Sequence, residues 1–169
     1  MALLIDNKVV VDDFKKADQL LQKGFGERRE HEHVLDLKEA LYLLEKNSIE
    51  ISDKKGKKVS RSELLKIGGK EENNFYTKYL VYNDMRTRGF VIKTGFKFGF
   101  DFRVYPRGTK PGEEHTQWVI HVATQGEKLT MPVLSRMVRL AGNLHTIILV
   151  AVVDSENDIN YYQIDRITP

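Results

Sequence analysis

The sequence predicts an α/β (α+β) chain in two parts: a small mixed α/β N-terminal domain, then a C-terminal domain built on a helix-flanked mixed β-sheet. Three observations carry this. Residues 36–46, DLKEALYLLEK, set Leu37, Ala40, Leu41 and Leu44 on one helical face behind an aspartate N-cap. Between residues 90 and 123, β-branched and aromatic residues gather into three short runs. Residues 145–154, HTIILVAVVD, form a near-continuous apolar run, the pattern of a strand buried on both faces.

In chain order, Leu3–Val11 alternates loosely and predicts a strand ending at Asp12-Asp13. Asp13–Lys23 has helical spacing in Phe14, Ala17, Leu20 and Leu21 and stops at Gly24. Gly24–His33 is polar and reads as turn and loop. The capped helix over Asp36–Lys46 follows, then a short strand at Ser48–Ser52 and the turn DKKGKK at residues 53–58. Ser60 or Ser62 caps the next helix, ahead of Leu64, Leu65 and Ile67. Asn73–Thr87 predicts a helix with Phe75, Tyr79, Leu80 and Tyr82 inward. Strands are then expected at Phe90–Thr94, Phe98–Tyr105 and Trp118–Ala123. Met131–Ala141, with Pro132 early, predicts a helix ending at Gly142. His145–Asp154 is the buried strand, and Ile159–Ile164 a last strand after the acidic turn DSEND. This order predicts a sheet covered by helices on both sides. The domain boundary falls near residues 83–86, dividing 1–84 from 85–169.

Composition sets outer limits. The chain has 169 residues, 41% hydrophobic and 30% charged, an ordinary globular balance. No apolar run approaches the roughly 18 residues that span a bilayer, so no membrane partner is expected. The N-terminus reaches acidic residues too early for a signal peptide, which points to a cytoplasmic protein. With no cysteine, disulfides, thiolate metal sites and cysteine nucleophiles are excluded. The net charge of +3 permits a polyanionic partner without requiring one. The five histidines have no metal-ligand spacing, and no cofactor is implied.

Residues 78–108, KYLVYNDMRTRGFVIKTGFKFGFDFRVYPRG, are followed by EEH at 113–115, VRLAG at 138–142 and AVVD at 151–154. This succession, with NYY after the acidic turn, resembles the archaeal tRNA-splicing endonuclease (tRNA-intron endonuclease) family. The likeness is strongest over residues 76–169, and LKEALYLL and SRSELL resemble the same family's N-terminal domain. It implies a C-terminal nuclease domain and an RNA-cleaving lyase. Such enzymes cut precursor tRNA at bulge-helix-bulge splice sites without metal, leaving 2′,3′-cyclic phosphate and 5′-hydroxyl ends. It also implies assembly as a homotetramer, a homodimer of double-length chains, or a heterotetramer with a second endonuclease subunit. A chain of 169 residues is too short for the double-length type.

RNA transesterification needs a base for the 2′-hydroxyl, an acid for the leaving 5′-oxygen, and positive charge for the crowded phosphorane. By resemblance Tyr105 is the base; phenols titrate at about 10, so nearby cations such as Arg103 and Arg107 would have to help. His115, after the Gly- and Pro-containing loop 106–114, matches the general acid. Without the resemblance, Tyr105 would read as a strand-end tyrosine on a packed edge and His115 as a solvated loop histidine. Both groups must reach one phosphodiester, so burial of either counts against the reading. Thr146 stands where the family has a catalytic lysine. Losing such a stabiliser commonly costs about 10²–10³ in rate. His145 is one position away, but strand alternation would turn it to the opposite face. His31 and His33, in the polar loop, and His121, in a strand, read as structural or surface residues.

RNA grip independent of sequence is expected from Arg86, Arg88, Lys93, Lys97, Arg103, Arg107 and Lys110. Arg139 matches a family arginine that stacks on a bulged base. Asp154, Glu156 and Asp158 match an acidic loop that enters a neighbouring subunit; a plain hairpin turn would hold the same residues. Pairing of Ile159–Ile164 with its counterpart would cover an open edge. Three accounts stay open: a non-catalytic structural subunit of a heteromeric enzyme, a catalytic subunit whose cation comes from a different residue, or a less typical enzyme with weak activity. A metal-dependent restriction-type nuclease is disfavoured, because Asp101 has no matching ExK.

Overall fold

A computed structural model describes residues 1–95, 99–109 and 115–169. The chain divides into two compact units, Met1–Tyr79 and Leu80–Pro169.

The first unit holds a five-stranded sheet, ordered β3-β4-β2-β1-β5. The apolar run at its start is two strands rather than one: β1 (Ala2–Ile5) and β2 (Lys8–Val11) form a hairpin. Asp6-Asn7 makes the turn, Asp6 accepting φ 54°, a backbone state aspartate tolerates better than most residues. The polar segment after Gly24 is likewise a hairpin, β3 (Glu27–Arg29) and β4 (Glu32–Leu35), turned at Glu30 with φ 52°. Its charged outer strand carries no strand propensity; ladder pairing with β4 holds it, and charge suits an open edge. His33 therefore sits buried in a strand, not in a loop.

Helix α1 (Phe14–Gln22) is capped by Asp13, which lies just outside the helix and accepts from the Lys16 amide. α2 (Leu37–Glu45) opens on a reciprocal capping box between Asp36 and Glu39, and α3 (Arg61–Glu71) on another between Ser60 and Glu63. β5 (Ile51–Ser52) runs parallel to β1. Leu35, Ala40, Leu41, Ile51 and Leu64 centre the core. Helix α4 (Phe75–Thr87) runs through the division between the units. It buries Phe75, Tyr79, Val81, Tyr82 and Met85, while Leu80 is half-buried.

The second unit has a mixed sheet ordered β10-β9-β8-β7-β6. Its strands are β6 (Val91–Thr94), β7 (Phe102–Tyr105), β8 (Trp118–Thr124), β9 (Ile147–Val153) and β10 (Ile159–Ile164). β8 and β9 are parallel, joined by helix α5 (Met131–Asn143); every other neighbour is antiparallel. Strand β7 is shorter than its sequence run suggests; Phe98, Lys97 and Lys110 lie outside the described residues. α5 presses Met137 and Ala141 onto Phe100, Val119 and Ile148. The opposite face meets α4, where the Tyr82 and Phe102 rings lie 6.2 Å apart. Among the described residues no helix is long and apolar enough to cross a membrane.

The junction of α5 and β9 departs from the sequence reading. Gly142 is inside the helix, and Leu144 is the cap. His145 then takes φ 54° and its amide donates to the Gly142 carbonyl at 3.0 Å. His145 is thus the left-handed residue that ends the helix, and the strand starts two residues later at Ile147. Strand alternation therefore does not set its direction.

Candidate active site

Register alone assembles one row at an end of the second sheet. Val104 pairs with Trp118, and Trp118 with Ile147. One residue further, the Gln117 amide donates to the Val104 carbonyl at 2.8 Å, and the Thr146 hydroxyl donates to the Gln117 carbonyl at 3.0 Å. Tyr105, Gln117 and Thr146 therefore stand side by side where β7 ends and β8 and β9 begin. Side chains alternate, so Tyr105 shares its face with Arg103, opposite Val119, and Thr146 shares its face with Ile148. That is the face under α5. His115 lies two residues before Gln117 and is exposed.

Three sequence-chosen positions thus come to one end of the sheet, in different settings. His115 is open to solvent, whereas Tyr105 is 6% exposed. Thr146 is 9% exposed and its proton is spent on the Gln117 carbonyl, so its hydroxyl is a strand clip rather than a donor to a phosphate.

The cations separate as well. Arg103, half-buried, donates from Nε to the Thr94 carbonyl at 3.1 Å. Arg107 holds its guanidinium 4.8 Å from the Phe90 ring centre, and Phe90 meets Trp118 edge-on at 5.3 Å. Arg88 belongs elsewhere: its Nε donates to Asp84 at 2.8 Å and its guanidinium lies 6.0 Å from the Tyr161 ring. Those partners sit on the α4 side, away from Tyr105. Arg86 donates to the Phe90 carbonyl at 3.4 Å. Arg139 is exposed on α5 and forms no ion pair among the described residues.

Asp154, Glu156 and Asp158 do form the expected turn, but they are not equivalent. Asp154 Oδ1 accepts from the amides of Glu156 and Asp158, both at 2.9 Å, so this carboxylate builds the turn. Glu156 and Asp158 are exposed. Gln125 braces the turn, its side chain accepting from the Ser155 amide at 3.2 Å. Asp84 anchors the last strand, accepting from the Tyr161 hydroxyl at 2.8 Å. Burial, then the Asp84 carboxylate, pushes the Tyr161 phenol well above its ordinary range. Gln117, Gln125 and Asp84 were invisible to sequence reasoning because each acts on a partner distant in the chain. His121 bridges toward Glu127 at 3.2 Å, consistent with a structural role.

Comparison with known proteins bears on the whole chain. Residues 75–161 match the family model described as tRNA intron endonuclease, catalytic C-terminal domain. Residues 1–65 match that of the tRNA intron endonuclease N-terminal domain. A tRNA-splicing endonuclease of Thermococcus onnurineus is 40% identical over 152 residues, covering 89% of this chain and 86% of its own. Proteins of the same name from Thermococcus kodakarensis and Methanothermobacter thermautotrophicus are each 38% identical, covering 85% and 86% of this chain and 83% and 84% of their own. With both domains matched in order and relatives 38–40% identical over most of the chain, the chain belongs to the tRNA intron endonuclease family.

Proposed function

We propose that this chain is a catalytic subunit that cleaves precursor tRNA at bulge-helix-bulge splice sites. Tyr105 takes the proton of the 2′-hydroxyl, whose oxygen attacks the adjacent phosphorus. The bond from phosphorus to the 5′-oxygen breaks, and His115 gives that oxygen its proton. The products are a 2′,3′-cyclic phosphate and a 5′-hydroxyl. The observation that carries the reading is the register row, which brings the end of β7 and the lead-in to β8 to one end of the sheet. Tyr105 is only 6% exposed, which counts against it as the base; the reading requires that its phenol oxygen alone meet the ribose. Exposed Arg139, and Arg107 steadied on Phe90, suit stacking on unpaired bases and contact with phosphate. Self-association to a dimer or tetramer would use Glu156 and Asp158, with Asp154 shaping the loop that presents them.

One observation favours a second reading: Thr146 brings no charge to the row, as expected of a structural subunit that positions substrate for another chain. Incubating the purified chain with a bulged splice-site RNA in EDTA separates the two. Cleavage to cyclic-phosphate ends, lost in Tyr105→Phe and His115→Ala, supports the catalytic reading. Cleavage only after a second subunit is added supports the structural one.

A further inference from the structure

We infer that His145 supplies the positive charge that the phosphorane needs, a catalytic role that rests on the proposed RNA-cleaving reading. The charge must lie at the end of the sheet where Tyr105 and His115 are carried, and among the described residues the other candidates there are engaged otherwise; Lys97 and Lys110 lie outside those residues. Thr146 is uncharged and its hydroxyl is bound to the Gln117 carbonyl. Arg103 sits one row inward, bound to the Thr94 carbonyl. Arg107 lies over Phe90 against Trp118, whose register position faces the other side of the sheet. Arg139, exposed on α5, is the cation that the proposed function gives to an unpaired base.

His145 has the needed placement. It is exposed and adjoins Thr146, which is clipped to Gln117, which is two residues from His115. Summing consecutive Cα steps of about 3.8 Å and a strand spacing of about 4.8 Å keeps the two imidazoles' backbones within roughly 16 Å. The carbonyl end of a helix also attracts a positive charge, and His145 is the residue that ends α5. The titratable and charged groups described on the elements meeting here are Arg103 and Tyr105 on β7, Arg107 after it, His115 before β8, His121 on β8, and Arg136 and Arg139 on α5. Among the described residues no carboxylate forms an ion pair with His145.

The test compares cleavage of a bulged splice-site RNA by the full chain, His145→Asn, His145→Lys and His145→Asn/Thr146→Lys across about pH 5 to 9. Asparagine tolerates the left-handed backbone, so His145→Asn removes the charge and keeps the helix end. We expect His145→Asn to lose about 10²-fold in kcat with little change in KM. His145→Lys should keep the rate, and the alkaline limb of its log rate against pH should become one unit shallower, because a lysine holds its charge where an imidazole does not. The double variant should regain activity, because Thr146→Lys returns a cation to the neighbouring position. Wild-type rate and an unchanged pH profile in His145→Asn would overturn the inference. Should His145→Asn fail to fold, an alkaline limb unaltered in His145→Lys would overturn it equally. A wild type that is inactive while Thr146→Lys cuts would sink the role of His145 and leave the nuclease reading intact. Inactivity of both would remove the catalytic reading itself.

Discussion

Asp84 should decide whether the last strand stays seated. One oxygen, Oδ2, accepts from both the Tyr161 hydroxyl and Arg88 Nε, each at 2.8 Å. Asp84→Ala removes both bonds. The half-buried tyrosine loses a hydrogen bond to a charged acceptor, about 1.5–3 kcal/mol. The Arg88 pair, its side chains 55% and 30% exposed, adds only about 0.3–0.5 kcal/mol. The variant should therefore lose about 2–3 kcal/mol. Tyr161→Phe should lose about 1.5 kcal/mol, since Asp84 keeps Arg88. The two losses should not add: a double-mutant cycle should give a coupling of about 1–1.5 kcal/mol. Urea denaturation followed by tryptophan fluorescence is the assay, because Trp118 is the chain's one tryptophan and lies in this sheet. A coupling below about 0.5 kcal/mol would refute the claim that this hydrogen bond holds β10 to α4.

Three further outcomes are expected. Burial raises the Glu72 carboxyl, but hydrogen bonds from Lys38 at 2.5 Å and Lys78 at 2.7 Å outweigh it and hold the group below its ordinary 4.5. A depressed carboxyl stabilises the fold above its unfolded value and loses that effect as pH falls through the folded one; Glu72→Gln should cost about 3 kcal/mol near neutrality and flatten the acid limb of stability against pH. Arg139→Ala should weaken RNA binding and reduce the salt slope by about one in fluorescence anisotropy, whereas Arg88→Ala, already engaged by Asp84, should change neither. Charge reversal at Glu156 and Asp158 should halve the assembly's mass in light scattering; reversal at Asp154 should instead destabilise the turn.

How legible the fold was depended on range. Capping boxes and helical stripes are local, and Asp36–Glu39 and Ser60–Glu63 could be read directly. So could β10, whose alternation survives to the residue. The first N-terminal hairpin could have been read from Asp6-Asn7-Lys8, a polar break with turn residues inside the apolar run, whereas Glu27–Arg29 owes its strand form to a neighbour and has no local signal. His145 was misread for a related reason. An apolar run shows where a strand is buried but not where a preceding helix stops, and a left-handed histidine has no sequence signature comparable to glycine. The candidate site was legible as residue types through resemblance; its arrangement was not. Nothing local says that Thr146 faces Gln117, 29 positions earlier.

That clip explains why the row is coherent despite an uncharged residue in it. A slip of one residue between β7 and β8, or between β8 and β9, would turn Tyr105 or Thr146 onto the α4 face. Register here is pinned on both sides of Gln117, by its amide toward β7 and its carbonyl toward Thr146. Both bonds use main-chain atoms of Gln117, so changes to its side chain leave them in place. The Thr146 side chain is different, because the second bond is its own. A lysine at this position would gain a charge and forfeit the clip, about 1 kcal/mol. Threonine there and an exposed histidine on the adjacent helix end are free to divide the two tasks: Thr146 fixes where β9 starts, and His145, released from strand geometry by its left-handed backbone, is the residue inferred to meet the substrate.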